Sequence, residues 1–253
     1  REDLRAGCAS GIYEEIGVEE VREAVSMGRM VSSAFVVWQG EGVERKGRFV
    51  INFSQQSRNW PKGSVKMETL PGFALNLVKN DHLMSWDVKS GYRHFYLHPK
   101  MRDYFLFNYG GRSCRCIALP FGWGRSVLWF TKLMRPFVKH IRSELGYRVL
   151  PWIDDFLCAP ADGRRPAIGR DCRRARIRLD SLFGELGITR HPDKGCWEGA
   201  QVLEHLGVLI DTRQMRVFVT DQKVLRMRKM ARELLLCALR NRRLVSMEKV
   251  RQF

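Results

Sequence analysis

A chain of 253 residues with 45% hydrophobic and 11% aromatic content has the length and apolar surface for one large domain or two compact lobes, which excludes a disordered polypeptide. Its 44 Lys and Arg against 27 Asp and Glu leave a formal charge of +17, an excess that favours a polyanionic partner, nucleic acid or an acidic membrane surface. No apolar run approaches the roughly 18 residues of a spanning helix and no lipidation motif is present, so nucleic acid is the preferred partner and a merely soluble basic surface the alternative.

In chain order, residues 12–30 suggest a short amphipathic helix and a turn. The runs "AFVVW" (34–38) and "RFVINF" (48–53) read as strands joined by the charged, glycine-bearing loop "QGEGVERKG". Residues 67–81 suggest a helix with Leu70, Phe73 and Leu77 on one face, followed by the strand "LMSWDV". "YFLFNY" and "RSCRCIAL" flank Gly110-Gly111, a two-residue turn that needs positive φ. "LPFGWGRS" is a loop, and the apolar positions of 127–145 recur at helical spacing, with Pro136 expected to kink that helix. "YRVLPWI" and "FLCAP" form two strands around Asp154 and Asp155. An arginine-rich helix follows at 167–186, then a strand in "LGITRHP", a pair from "VLEHLGVLI" and "MRVFV", and a basic amphipathic helix at 220–239. Interleaved helices and hairpin-linked strands predict an α+β fold with a largely antiparallel sheet backed by helices.

The seven cysteines are scattered, with no CxxC pair, and Cys114-Arg115-Cys116 is not a zinc spacing. They read as reduced, packed thiols of an intracellular protein that is not secreted. The chain starts without Met and ends in what reads as a new helix capped by Ser246, so it is expected to be a piece of a longer polyprotein.

The stretch "LPWIDDFLCAP" (150–160) sets two adjacent carboxylates in an apolar run, where they repel each other and resist burial. On the residues alone, a solvated hairpin tip accounts for them equally well. A divalent metal is the other way to keep such carboxylates ionised, Mg²⁺ preferring hard oxygen ligands. Asp87 in "SWDVKSGY", at the end of an apolar strand, offers a third ligand, although a strand-ending or capping Asp is as ordinary there.

Taken in order, "RFVINF … SWDVKSGYRHFYLHP … LPFGWGRSVLWFTKLMRPF … WIDDFL … LGITRHPDK … LEHLGVLI" resembles the fingers and palm of reverse transcriptases, in particular those of retrotransposons related to the LTR and DIRS types. Their pattern runs D-x-K-x-x-Y, LPFG, YxDD, G-hydrophobic-x₅-K and FLG; each motif is weak alone, and the ordered match spans about residues 34–240. The resemblance implies a right-hand polymerase fold that joins dNTPs to a primer 3′-OH on an RNA or DNA template with two Mg²⁺, or Mn²⁺ in their place. Asp87 and Asp154 match the metal-binding catalytic aspartates, with Asp155 beside them and the Val88 carbonyl as a further ligand. Tyr92 matches the steric gate against a ribose 2′-OH, and Ser90 and Gly91 would offer N–H groups to the triphosphate. Arg48, helped by Lys46, matches the fingers contact to the triphosphate. Phe121 and Gly122 lie under the incoming base, and Lys194 matches the lysine that protonates pyrophosphate. Trp152, Leu206 and Gly207 fall at the primer terminus and primer grip, while Arg173, Arg174, Arg226 and Lys229 suit phosphate contacts.

The implied divisions are a helical lead-in (1–30), fingers (31–80), palm (81–99), fingers and palm (100–120), palm (121–215), and a primer-grip exit with the start of the thumb (216–253). Three positions depart from the family pattern: Trp152 replaces Tyr, Asn52 stands where Asp is frequent, and Arg125 adds a charge in "GWGRSV". None removes a metal ligand. A decayed, catalytically silent remnant that only binds nucleic acid is the alternative.

Overall fold

The computed structural model describes residues 2–39, 45–61, 63–161 and 163–240. Its centre is a three-stranded antiparallel sheet of order β4-β8-β7, from β4 (Met84–Asp87), β7 (Arg148–Trp152) and β8 (Asp155–Ala159). Side chains alternate faces along a strand, and here both faces are apolar. Trp86 and Phe156, stacked at 5.2 Å, face α6 (Ser126–Ser143) and α7 (Gly169–Leu186), where Phe137 and Phe183 pack against them. Leu150, Leu157 and Ala159 face the other way, onto Phe73, Leu203 and Ile210. Such a sheet reads as a continuous apolar run, which is why "LMSW" and "FLCA" show no alternation.

A second sheet of order β1-β6-β5-β2-β3 is built from β1 (Tyr13–Glu15), β2 (Val31–Gln39), β3 (Lys46–Ile51), β5 (Leu106–Tyr109) and β6 (Arg112–Cys116). It is antiparallel except for β2 against β5. Gly110 and Gly111 take φ of 59° and 80° at the β5–β6 turn, as the hairpin requires. A third sheet joins β9 (Val202–His205), β10 (Val208–Asp211) and β11 (Arg216–Val219), and α8 (Asp221–Arg240) follows.

Several expectations are corrected. Residues 12–30 are not one helix: Tyr13 is buried between Phe49 and Phe107 in β1, and α2 (Val18–Ser26) starts after Gly17, while an unforeseen α1 (Glu2–Ala9) precedes both. The helix over 67–81 shrinks to Leu70–Ala74, capped by Thr69, because Asp81 takes the Val78 N–H at 2.6 Å and turns the chain into β4. No strand forms in 186–192. That segment meets the chain at the end of β4 through a one-residue bridge, Val88 to Arg190, flanked by Lys89 N–H to Thr189 O and His191 N–H to the Asp87 carbonyl, each 2.8 Å, and Pro192 lacks the N–H to continue. "VLEHLGVLI" forms a hairpin of two strands, turned at Leu206 and Gly207 with φ of 51° and 71°. α6 runs on through Pro136. Cys114, Cys116, Cys158 and Cys172 are buried thiols.

Candidate metal centre and adjoining grooves

Antiparallel pairing sets Asp87, the last residue of β4, directly opposite Asp155, the first of β8. Paired residues share a face with Cβ atoms about 5 Å apart, and like charges there repel. Both side chains emerge on the face turned away from α6 and α7. Asp154 joins them from the two-residue β7–β8 turn, its carbonyl accepting the Val88 N–H at 2.8 Å. Carboxylate oxygens of all three lie within 4.8 Å of one another. Ile153, in the same turn, holds φ of 57°, a strained value for a β-branched residue. The sequence therefore holds Asp154 in place at a local cost.

The cluster is short of positive charge. Burial first, then the charges of Asp154 and Asp87, push the Asp155 carboxyl up to about 6. Burial, followed by Asp87, also raises Asp154. Among the described residues one cation answers them: Lys194 Nζ lies 3.0 Å from Asp87 Oδ2. Its loop is pressed onto β4, since Cys196 exchanges bonds with Ser85 at 2.9 Å and a Cβ on Gly195 would sit 2.3 Å from the Ser85 carbonyl oxygen. Three hard oxygen donors around a site that already attracts an ammonium suit a divalent cation such as Mg²⁺. The Val88 carbonyl makes no further case for itself in the geometry.

Beside the aspartates, Ser90 takes φ of 55° and leads into a 3₁₀ turn, Gly91–His94. Gly91 is packed so closely that an added Cβ would lie 2.9 Å from Phe130 and 3.4 Å from the Asp154 Cβ. The Tyr92 ring is buried, 4.6 Å from Phe121 and 5.2 Å from Phe130. Burial, then the nearby Asp154, raises its phenol. Phe121 is half exposed, and Gly122 at φ of 88° abuts β3, where a Cβ would meet the Ile51 carbonyl oxygen at 2.2 Å. Gly91, Tyr92, Phe121 and Gly122 thus form one arc from Asp154 to β3. Arg48 is exposed on β3, three residues before Ile51; the Lys46 side chain lies outside the described residues.

A cleft of about 290 Å³ separates Asp87, Asp155 and Lys194 on one wall from Glu204, Leu206 and Gly207 on the other. His205 lies in that second wall and is buried, which depresses its imidazole to about 4 and keeps it neutral. Lys223 of α8 donates to the Leu206 carbonyl at 3.2 Å, so the exposed Arg226 and Lys229 continue from the same wall. Trp152 ends β7, paired with Asp155. Arg173 and Arg174 are not brought to the site. Their helix docks its first turns beside the start of β4, Cys172 reaching the His82 carbonyl, at the end of the strand away from Asp87.

A basic groove escaped sequence reasoning. About 510 Å³ in volume, it runs between Lys66–Glu68 and α6, is lined by Arg135, Lys139 and Arg142, and ends at Pro151 and Ile153 beside the aspartates. A second hollow of about 570 Å³ extends it past Arg142 to Arg148. Its signal was present: Lys132, Arg135, Lys139 and Arg142 recur at helical spacing opposite the apolar stripe. Of the departures, Asn52 accepts the Ser54 N–H at 3.2 Å, and Arg125 packs against Gly63 with one guanidinium nitrogen buried and unpaired.

No family model matches the chain, and no curated protein matches it. Solved structures do. The foamy viral protease-reverse transcriptase bound to dsDNA aligns with a TM-score of 0.65 at 16% identity, over 87% of this chain and 40% of that one. The dRH form of the same protein, also with dsDNA, gives 0.69 at 14% identity over 97% and 37%. Its complex with an RNA/DNA hybrid gives 0.67 at 14% over 87% and 26%. The chain therefore spans well under half the length of these proteins, and its fold is the α+β fold of a reverse transcriptase. No helix among the described residues is long and apolar enough to cross a membrane.

Proposed function

We propose that the chain is the polymerase core of an RNA-directed DNA polymerase, a nucleotidyltransferase from a retroelement of LTR or DIRS type. The observation that carries this reading is the aspartate cluster, three carboxylates within 4.8 Å at the mouth of a cleft, on a fold shared with reverse transcriptases. Asp87, Asp154 and Asp155, with the Val88 carbonyl, are the residues that would hold Mg²⁺ or Mn²⁺. When bound, two such ions supply charge stabilisation to the attacking and departing oxygens of a phosphoryl transfer.

The protein's own part is positioning. Ser90 and Gly91 face the triphosphate with Arg48, and Lys46 assists from the same strand. Phe121 and Gly122 floor the base. Tyr92, clamped between Phe121 and Phe130, has no room to yield to a ribose 2′-OH, so dNTPs are selected. Lys194 stands where a proton is needed by the leaving pyrophosphate. Leu206, Gly207 and Trp152 border the primer terminus, and Arg226 and Lys229 follow along its phosphates. The basic groove of Lys66, Arg135, Lys139 and Arg142 suits the template strand better than Arg173 and Arg174, which lie behind the sheet. On this reading the five-stranded sheet is the fingers (31–80 and part of 100–120), the central sheet with α6 and α7 the palm (81–99 and 121–215), and α8 the approach to a thumb.

The test is primer extension on an RNA template with dNTPs and Mg²⁺, comparing this chain with Asp154→Asn. Loss of one metal ligand is expected to remove several kcal/mol of transition-state stabilisation, about a thousandfold in rate. Template-primer binding without extension in either protein would leave the silent, nucleic-acid-binding remnant as the better account.

A further inference from the structure

Resting on the metal reading above, we infer that Lys194 is an exchangeable counter-ion, which occupies Asp87 when no metal is present and is displaced when a divalent cation binds. Three features of the structure support this. Lys194 Nζ is 3.0 Å from Asp87 Oδ2, an oxygen that any ion held by the cluster needs. Asp87 is the buried member of the three, with 11% of its side chain exposed, whereas the Lys194 side chain is 57% exposed. The lysine can therefore leave for water at little cost, because a half-exposed ion pair is screened by solvent, while the buried aspartate stays in place. Third, the backbone next to Lys194 is fixed even though its side chain is largely exposed. Gly195 abuts the Ser85 carbonyl at a distance no other residue tolerates, and Cys196 is bonded to Ser85 on both sides.

The arrangement gives one side chain two positions. Paired, it offsets part of the repulsion among three carboxylates held together by strand register rather than by attraction. Displaced, the ammonium is released within a side chain's length of the metal site, where the departing anion forms. The site would then arm its proton donor only when loaded.

The experiment is Mn²⁺ titration of the 253-residue chain, followed by the electron paramagnetic resonance of free Mn²⁺, on the wild type, Lys194→Met, Lys194→Gln and Lys194→Arg, each also melted with and without Mn²⁺. Removing the competing charge is expected to tighten Mn²⁺ binding about three- to tenfold in both neutral variants. Lys194→Arg should match the wild type. Without metal the neutral variants should melt below the wild type, and saturating Mn²⁺ should abolish that gap, a reversal that a merely structural lysine would not produce. Equal or weaker binding in both neutral variants overturns the exchange and leaves the metal site standing. Absence of Mn²⁺ binding in all four proteins overturns both. Neither readout needs catalysis, so a chain that binds Mn²⁺ as expected yet fails to extend primers would sink the polymerase reading alone.

Discussion

Asp81 and Asp87 bracket the same strand, β4, and meet opposite environments. Asp81 is wholly buried, yet every lone pair direction is answered: Arg148 at 2.8 and 3.0 Å, Ala167 N–H at 2.7 Å and Val78 N–H at 2.6 Å. Arg148 spends its other donors on the carbonyls of Asn76, Ala161 and Arg165. This pair ties α4 (Leu70–Ala74), β7 and the approach to α7 into one unit. Asp87 shares its space with two more carboxylates and the largely exposed Lys194. A saturated carboxylate holds a fold together; a starved cluster is a standing demand for cations. The contrast separates structure from chemistry without reference to any relative.

Substitutions around either aspartate test this contrast. The largest effect belongs to Arg148→Leu, which strands Asp81 as an unpaired buried charge. It should cost about 3–5 kcal/mol in urea unfolding, a large share of the stability of a domain. A loss below about 1 kcal/mol would mean that Asp81 is not the tie it looks to be. Next is Gly195→Ala, which combines a positive φ of 81° with a backbone clash at 2.3 Å. About 2 kcal/mol of destabilisation is expected, together with a Mn²⁺ affinity shifted as in the neutral Lys194 variants, because Lys194 is thrown off Asp87.

The smallest effect is the most diagnostic of the cluster. Asp155 titrates near 6 in the folded protein, above its ordinary 3.8, so the folded state binds more protons than the unfolded chain between these values. Metal-free stability should accordingly be greatest at acid pH with respect to this group, and decline as pH rises from about 4 to about 6. After allowance for solvent screening of a half-buried group, the decline is about 1 kcal/mol. Asp155→Asn should flatten that segment of the pH profile and gain stability at pH 7. If the profile keeps its slope in the mutant, another group owns it.

The features legible in the residues alone are local. The Gly110-Gly111 turn, the hairpin around Asp154, α7 and α8 follow from turn chemistry and from apolar spacing within a few residues, and the ordered motifs carried Asp87, Asp154, Asp155, Tyr92, Phe121 and Lys194 to one neighbourhood. The apolar run after residue 67 looked helical because Leu70, Phe73 and Leu77 share a helical spacing; Asp81 overrode it through a partner, Arg148, far along the chain. "LGITRHP" looked like a strand by composition, but only a one-residue bridge, Val88 to Arg190, joins it to β4. The basic stripe of α6 was legible as charge, yet only the packing of residues 66–68 against it made a groove. Tertiary structure alone decided that Asp87 stands in register with Asp155 and that Lys194 closes on Asp87. Those contacts join segments more than 60 residues apart, where no local periodicity reaches and only the burial of β4 and β8 on both faces sets the register.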